Sequence, residues 1–311
     1  MDRYDAGLMG GVQLPLIEWQ PRRALQAIDE TLEALKKMGV RVPAGCRLEL
    51  ARDAIRRVES LNVQFGHGDT ATERMYAEAH RTVFEQYLIV RELQPPNEAA
   101  RRALTKMLGG PLVPVPGRHD KARDKQAEFF AGVMLYACGF HVDFGGADLL
   151  LTNRESKLSA AVKRVTSAKN FQKKIRIARN QLITARRAGF IVVSADQFLE
   201  EVYASDRTAD LSAAHYHQLA EWADHLHLER ARNPVIGVIA MSTSFRHVPR
   251  TPSAMQVVLH FHQRFITWHD PDQLRAAKNV GSAFAGALAR KLEAVFGPHD
   301  QGTRHSDSGA S

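Results

Sequence analysis

Apolar residues recur at helical spacing through most of the first hundred positions. Pro21 suits the first position of a helix, and Ala24, Leu25, Ile28, Leu32, Leu35 and Met38 follow on one stripe until Gly39. A second helix is predicted over about 47–64, with Leu48, Ala51, Ile55, Val58 and Leu61 on its apolar side, and Gly66-His67-Gly68 breaks it. Asp69 or Thr70 then caps a third, carrying Met75, Ala79, Val83 and Leu88. Pro95-Pro96 stops it, and Asn97 caps a short fourth that runs to Leu108. Residues 1–108 therefore read as a helical domain. The run GGPLVPVPG follows, and 109–118 is taken as the linker, because its glycines and prolines suit neither a helix nor a central strand.

The period changes after the linker. An amphipathic helix is predicted over 120–138, with Phe129, Phe130, Val133, Met134 and Ala137 apolar. Three strand-like runs come next, FHVDF (140–144), ADLLL (147–151) and KLSAAVKRV (157–165), the first two joined by Gly145-Gly146. A helix over about 167–187 buries Phe171, Ile175, Ala178 and Leu182, and GFIVVSA (189–195) is a further strand. A helical stretch over about 197–230, strands at 235–242 and 255–262, and a helix from about Pro271 to Phe296 complete a 119–296 domain. The tail, 297–311, reads as disordered. The expected class is mixed α/β: a helical N-terminal domain and a core whose central mixed sheet is flanked by helices.

Charge sharpens this picture. The segment 157–187 holds ten basic residues and no acidic one, against a whole-chain net charge of +8, so the remainder sums to −2. A local cationic patch suits a polyanion, with nucleic acid the leading partner, although a solvated helix face has the same composition. The N-terminus shows no signal-peptide pattern, and the longest apolar run, Phe129–Phe140, is 12 residues, where a membrane span needs ~20. Two cysteines, Cys46 and Cys138, make neither a disulfide scaffold nor a cysteine zinc site, and the expected setting is a reducing cytoplasm away from membranes.

Glu128 in the helix before the meander, Asp148 in GGADLLL, and Lys163 in SAAVKRV followed by the basic helix SAKNFQKKIRIARNQL carry a likeness to a known architecture. Over about 120–196 the chain resembles the core of the PD-(D/E)XK, or restriction-endonuclease-like, superfamily: a helix, a three-strand meander, a crossover helix and a further strand. The resemblance implies a catalytic Asp148 on the second strand, Lys163 on the third as charge stabiliser, and Glu128 as an added acid. Glu128 and Asp148 would be ligands of Mg²⁺, a hard ion that takes oxygen donors. Arg164, Lys169, Lys173, Lys174, Arg176 and Arg179 would contact phosphates. The chain departs from the family at one position: the acid expected two residues before Lys163 is Ala161. Residues 161 and 163 share a strand face, so a methyl stands where the family presents a carboxylate. Asp143 and Glu155 are weaker substitutes than Glu128.

The favoured expectation is nucleic-acid binding, DNA first, by a divergent or degenerate nuclease-like domain. The alternatives are an active Mg²⁺-dependent phosphodiesterase, and an interaction module working through its N-terminal helices without nucleic acid. Each residue also has a bland reading: Lys163 as one more patch cation, Asp148 as a turn cap, Glu128 as a solvated helix residue. His217, Glu221 and His225, spaced i, i+4, i+8, form a weaker zinc candidate without a fourth ligand, and His260 and His262 a weaker strand pair.

Overall fold

The computed structural model describes residues 9–13, 17–61, 70–92, 97–115, 118–144, 148–152, 157–196, 234–247 and 255–265. Within them the fold is mixed α/β. Two short strands open the chain, β1 (Met9–Gln13) and β2 (Ile17–Trp19). Four helices follow: α1 (Pro21–Lys37), α2 (Arg47–Leu61), α3 (Thr70–Glu92) and α4 (Glu98–Met107). Then come α5 (Lys121–Ala137), β3 (His141–Phe144), β4 (Leu149–Thr152), β5 (Lys157–Arg164), α6 (Ala168–Ala185), β6 (Gly189–Ser194), β7 (Val235–His247) and β8 (Met255–Phe265).

The expected elements form, with ends moved by a few residues, and the last two strands run longer than their apolar runs suggested. One correction concerns 1–108, which is not helical throughout. Its β1 and β2 pair antiparallel with β8, far away in sequence. The expected helices over 197–230 and 271–296, and the tail, lie outside the described residues, as do His217, Glu221, His225 and Glu155.

Eight strands make one mixed sheet, in the order β1-β8-β7-β6-β5-β4-β3, with β2 also on β8. The meander β3-β4-β5 is antiparallel, whereas β5-β6-β7 is parallel. The parallel strands are covered on both faces, which is why β6 is buried at every position. Alternation sorts their side chains. Leu158, Ala160, Val162, Phe190 and Val192 join the cluster shared with α1–α5, and Ala161, Val165, Ile191 and Val193 join the one under α6. A register shift between Gly189 and Phe190 lets β7 keep both faces supplied, Ile236 and Ile239 to one cluster, Val235 and Val238 to the other. Gly189 is required by close approach: a Cβ there would meet the Ser159 carbonyl oxygen at 1.9 Å.

The larger cluster crosses the Gly/Pro segment without a break. Leu104, Met107 and Leu108 lie before it, Leu112 within it, and Ala127, Phe129 and Phe130 after it. Asn97 caps α4 through the Ala100 N–H, and Asp120 caps α5 through the N–H groups of Ala122 and Arg123. Among the described residues no helix is long and apolar enough to cross a membrane.

Candidate functional site

The meander and the parallel strands meet at β5. Its first half pairs with β4, from Lys157 opposite Thr152 to Ala160 opposite Leu149. Its second half, Ala161 to Arg164, runs past the start of β4 and among the described strands pairs with β6 alone. The strand N–H groups on the uncovered side need acceptors. Asp148, one residue before β4, supplies one: its Oδ2 accepts the Val162 N–H at 2.7 Å. The same oxygen accepts from Lys163 Nζ at 2.8 Å, and Lys163 Nζ also donates to the Val162 carbonyl at 2.7 Å. Gln181 of α6 approaches Asp148 Oδ1 at 3.4 Å. The Asp148 and Lys163 side chains are each 12% exposed, so the ion pair lies in a recess.

Glu128 faces this pair from α5. It is 18% exposed and is bonded by Lys125. Burial pushes its carboxyl above the usual range, the nearby Asp148 charge adds to the rise, and Lys125 and Lys163 oppose it. Asp148 and Lys163 are therefore in contact, with Glu128 inside their field. Ala161 is fully buried in the cluster under α6. Asp143 is well exposed, on β3 beside His141.

The expected phosphate contacts divide. Lys173 and Arg176 are exposed on α6, Lys174 and Arg179 are half-buried, and the Lys169 side chain lies outside the described ones. Arg164 stands apart from that face. Its guanidinium is 8% exposed and bonds Asp124 of α5 at 3.0 Å, and Asp124 also meets His119 at 2.9 Å. Adjacent strand residues point to opposite faces, so Lys163 and Arg164 could not both join α6.

Sequence reasoning missed a second polar centre, at the carboxyl ends of β5 and β6 and beside β7. Buried there are Glu78, Arg81, Glu85 and Gln86 of α3, Arg123 and Gln126 of α5, and Ser194, Ser242 and Thr243 of the sheet. Arg81 bonds Glu78 at 2.8 Å and the Thr243 carbonyl at 3.0 Å. Arg123 meets Glu78 at 2.9 Å and Asp120 at 3.4 Å. Asp196 accepts from the Ser194 hydroxyl at 2.7 Å and the Thr243 N–H at 2.8 Å. Glu85 accepts from Gln126 at 2.5 Å, and burial followed by the Asp196 charge pushes its carboxyl up to about 7. The one signal available in the sequence was the density of polar residues along the middle of α3.

No group of three or more His, Cys, Asp or Glu able to hold a metal occurs among the described residues. No family model, curated protein or solved structure matches the chain.

Proposed function

We propose that the chain binds nucleic acid, DNA first, through a divergent PD-(D/E)XK nuclease-like domain in a reducing cytoplasm. The observation that carries this reading is the recessed Asp148–Lys163 pair, with Glu128 in its field, on the strand that leads into the cationic helix α6. The order α5-β3-β4-β5-α6-β6 supports it. The exposed Lys173 and Arg176 supply the phosphate contacts, which give affinity and salt dependence but little sequence information.

Binding is favoured over cutting for two reasons. The methyl of Ala161 supplies no oxygen, and the Asp148 carboxylate is engaged by the Lys163 ammonium and the Val162 N–H. One observation keeps phosphodiester hydrolysis as the second reading: Glu128 and Asp148 feel each other's charge. Mg²⁺ is commonly held by one or two carboxylates with the rest of its shell water, so this pair fits a weakly held ion. Such an ion would activate water and offset developing phosphate charge, and Lys163 would stabilise the same charge.

Fluorescence anisotropy with a labelled DNA duplex tests the reading. Binding should weaken as salt rises from 50 to about 200 mM, and Lys173→Ala with Arg176→Ala should flatten the log–log slope by roughly 2. No binding at the low-salt end, or a slope indifferent to both substitutions, overturns it. Added Mg²⁺ with cleavage abolished by Asp148→Ala would move the conclusion to the second reading.

A further inference from the structure

A small cavity of about 20 Å³ lies between α3, α5 and the carboxyl ends of β5 and β6, with Glu85, Asp196, Ser194, Ser242, Gln126 and Arg81 among its lining residues. That volume admits one water-sized particle, not a nucleotide.

The unsatisfied atoms around it decide the sign of what it holds. Glu85 is 5% exposed and Ser242 is 3% exposed. Neither Glu85 Oε1 nor the Ser242 hydroxyl has a hydrogen-bond partner among the described residues. The Thr243 hydroxyl acts on Glu85 but makes no bond of good geometry. Among the described residues each cation lining the cavity has a carboxylate in contact, Arg81 with Glu78, Arg123 with Glu78 and Asp120, and Arg164 with Asp124, while Arg123 Nε makes no hydrogen bond of good geometry. Arg47, buried beside Arg123, donates to the Met107 carbonyl at 2.5 Å through one nitrogen, and its Nε and Nη1 have no hydrogen-bond partner among the described residues. Among the described residues, four guanidinium groups thus face five carboxylates, those of Glu78, Glu85, Asp120, Asp124 and Asp196, with His119 exposed on Asp124. Among these described groups the excess is negative and falls on Glu85 and Asp196, neither of which is bonded by a described arginine. An anion would add to that excess, and a buried carboxylate oxygen left without a donor is costly.

We propose that this cavity is a binding site for a hard, oxygen-seeking cation, held by the carboxylates of Glu85 and Asp196 with the hydroxyl oxygens of Ser242 and Ser194. With two carboxylates and neutral oxygens the donor set suits Mg²⁺, Ca²⁺ or an alkali ion and not a soft transition metal. The cation ties α3 to the end of β6 and the middle of β7. The site is separate from the Asp148–Lys163 recess and does not depend on the nucleic-acid reading.

The test is thermal unfolding of the full chain, stripped with chelator, in choline chloride at constant ionic strength, titrated separately with MgCl₂, CaCl₂, NaCl and KCl. At least one cation should raise Tm saturably by a few degrees. Its midpoint concentration should fall as pH rises from 6 to 8, because a proton competes for the same oxygens. Glu85→Gln should abolish the rise, and Asp148→Asn should leave it intact. If Glu85→Gln does not fold, Ser242→Ala should raise the midpoint about tenfold. No saturable rise with any of the four salts overturns the proposal and leaves a proton or water as the occupant. So does a rise that survives Glu85→Gln, a midpoint unchanged by Ser242→Ala, or a rise lost with Asp148→Asn, which would place the ion in the other recess.

Discussion

The two polar centres use the same kinds of residue and solve opposite problems. In the recess at the end of β5, one carboxylate meets one ammonium and a backbone N–H, and the Asp148 and Lys163 side chains keep some contact with water. In the centre under α3, guanidinium and carboxylate groups are packed away from water, and the charges of the described residues do not balance. Burying a charge is costly unless it is paired, and the cost rises with depth. The recess can therefore change partner cheaply, as a binding surface must. The deep centre is committed: removing any member strands another.

The largest expected effect follows from that commitment. Arg123 is 6% exposed and joins Glu78, Asp120 and the Leu112 carbonyl. Replacing it with Met keeps much of the volume and leaves Glu78 and Asp120 short of positive charge. Breaking one side of a buried ion pair costs about 3–5 kcal/mol, and urea unfolding of Arg123→Met should lose that much. A loss below ~1 kcal/mol would mean that water reaches the deep centre, and the contrast between the two centres would disappear.

The pH dependence of stability separates the centres next. Glu85 is raised from its ordinary 4.5 to about 7 in the fold, by burial first and Asp196 second. Between those values the folded chain holds a proton that the unfolded chain has released, so stability falls as pH rises. The contribution of Glu85 is complete below about 4.5 and gone above about 7. Without added cations, Glu85→Gln should remove this slope, seen as a flatter plot of unfolding free energy against pH from 5 to 7. Glu128 is shifted the same way by burial, but it retains 18% exposure and the Lys125 contact. Glu128→Gln should flatten the plot less. The reverse ranking would place the stronger burial in the recess.

The two centres also differ in how legible they were. Asp148 and Lys163 were singled out by the likeness of the element order and motif positions to the PD-(D/E)XK core, and strand alternation added only that 161 and 163 share a face. The same rule, applied to Arg164, would have turned it toward α5 and away from the phosphate contacts. The buried stripe of α1, with Ala24, Ile28 and Leu35, follows helical spacing and formed as expected. The helix α3 obeyed that rule only in part. It packs against α1, α2, α5 and β7, so residues off the apolar stripe, such as Glu78, Arg81 and Glu85, are buried too. Polar residues on a helix read as solvent-facing unless the packing around them is known. β1 and β2 were illegible for a related reason: MGGVQ and IEW are short, and their partner β8 lies more than 200 residues along the chain. The deep centre draws Glu85, Asp196 and Ser242 from three separate stretches of the chain, so no spacing announces it.

The smallest effect is the most discriminating. Asp148→Ala alone leaves Lys163 Nζ with the Val162 carbonyl and deprives the Val162 N–H of its acceptor, which should cost about 1–3 kcal/mol. Lys163→Met alone leaves Asp148 with the Val162 N–H and the long Gln181 contact. Removing both charges, as Asp148→Asn with Lys163→Met, deletes the pair and keeps an acceptor oxygen for the strand N–H. Joint replacement of a buried pair by neutral groups is often close to neutral. The double variant should therefore unfold within ~1 kcal/mol of the wild type, while DNA binding, if this recess serves it, falls more than stability does. A double variant as unstable as the sum of its singles would show that the pair holds the end of β5 together, and its chemistry would then be that of a strand cap.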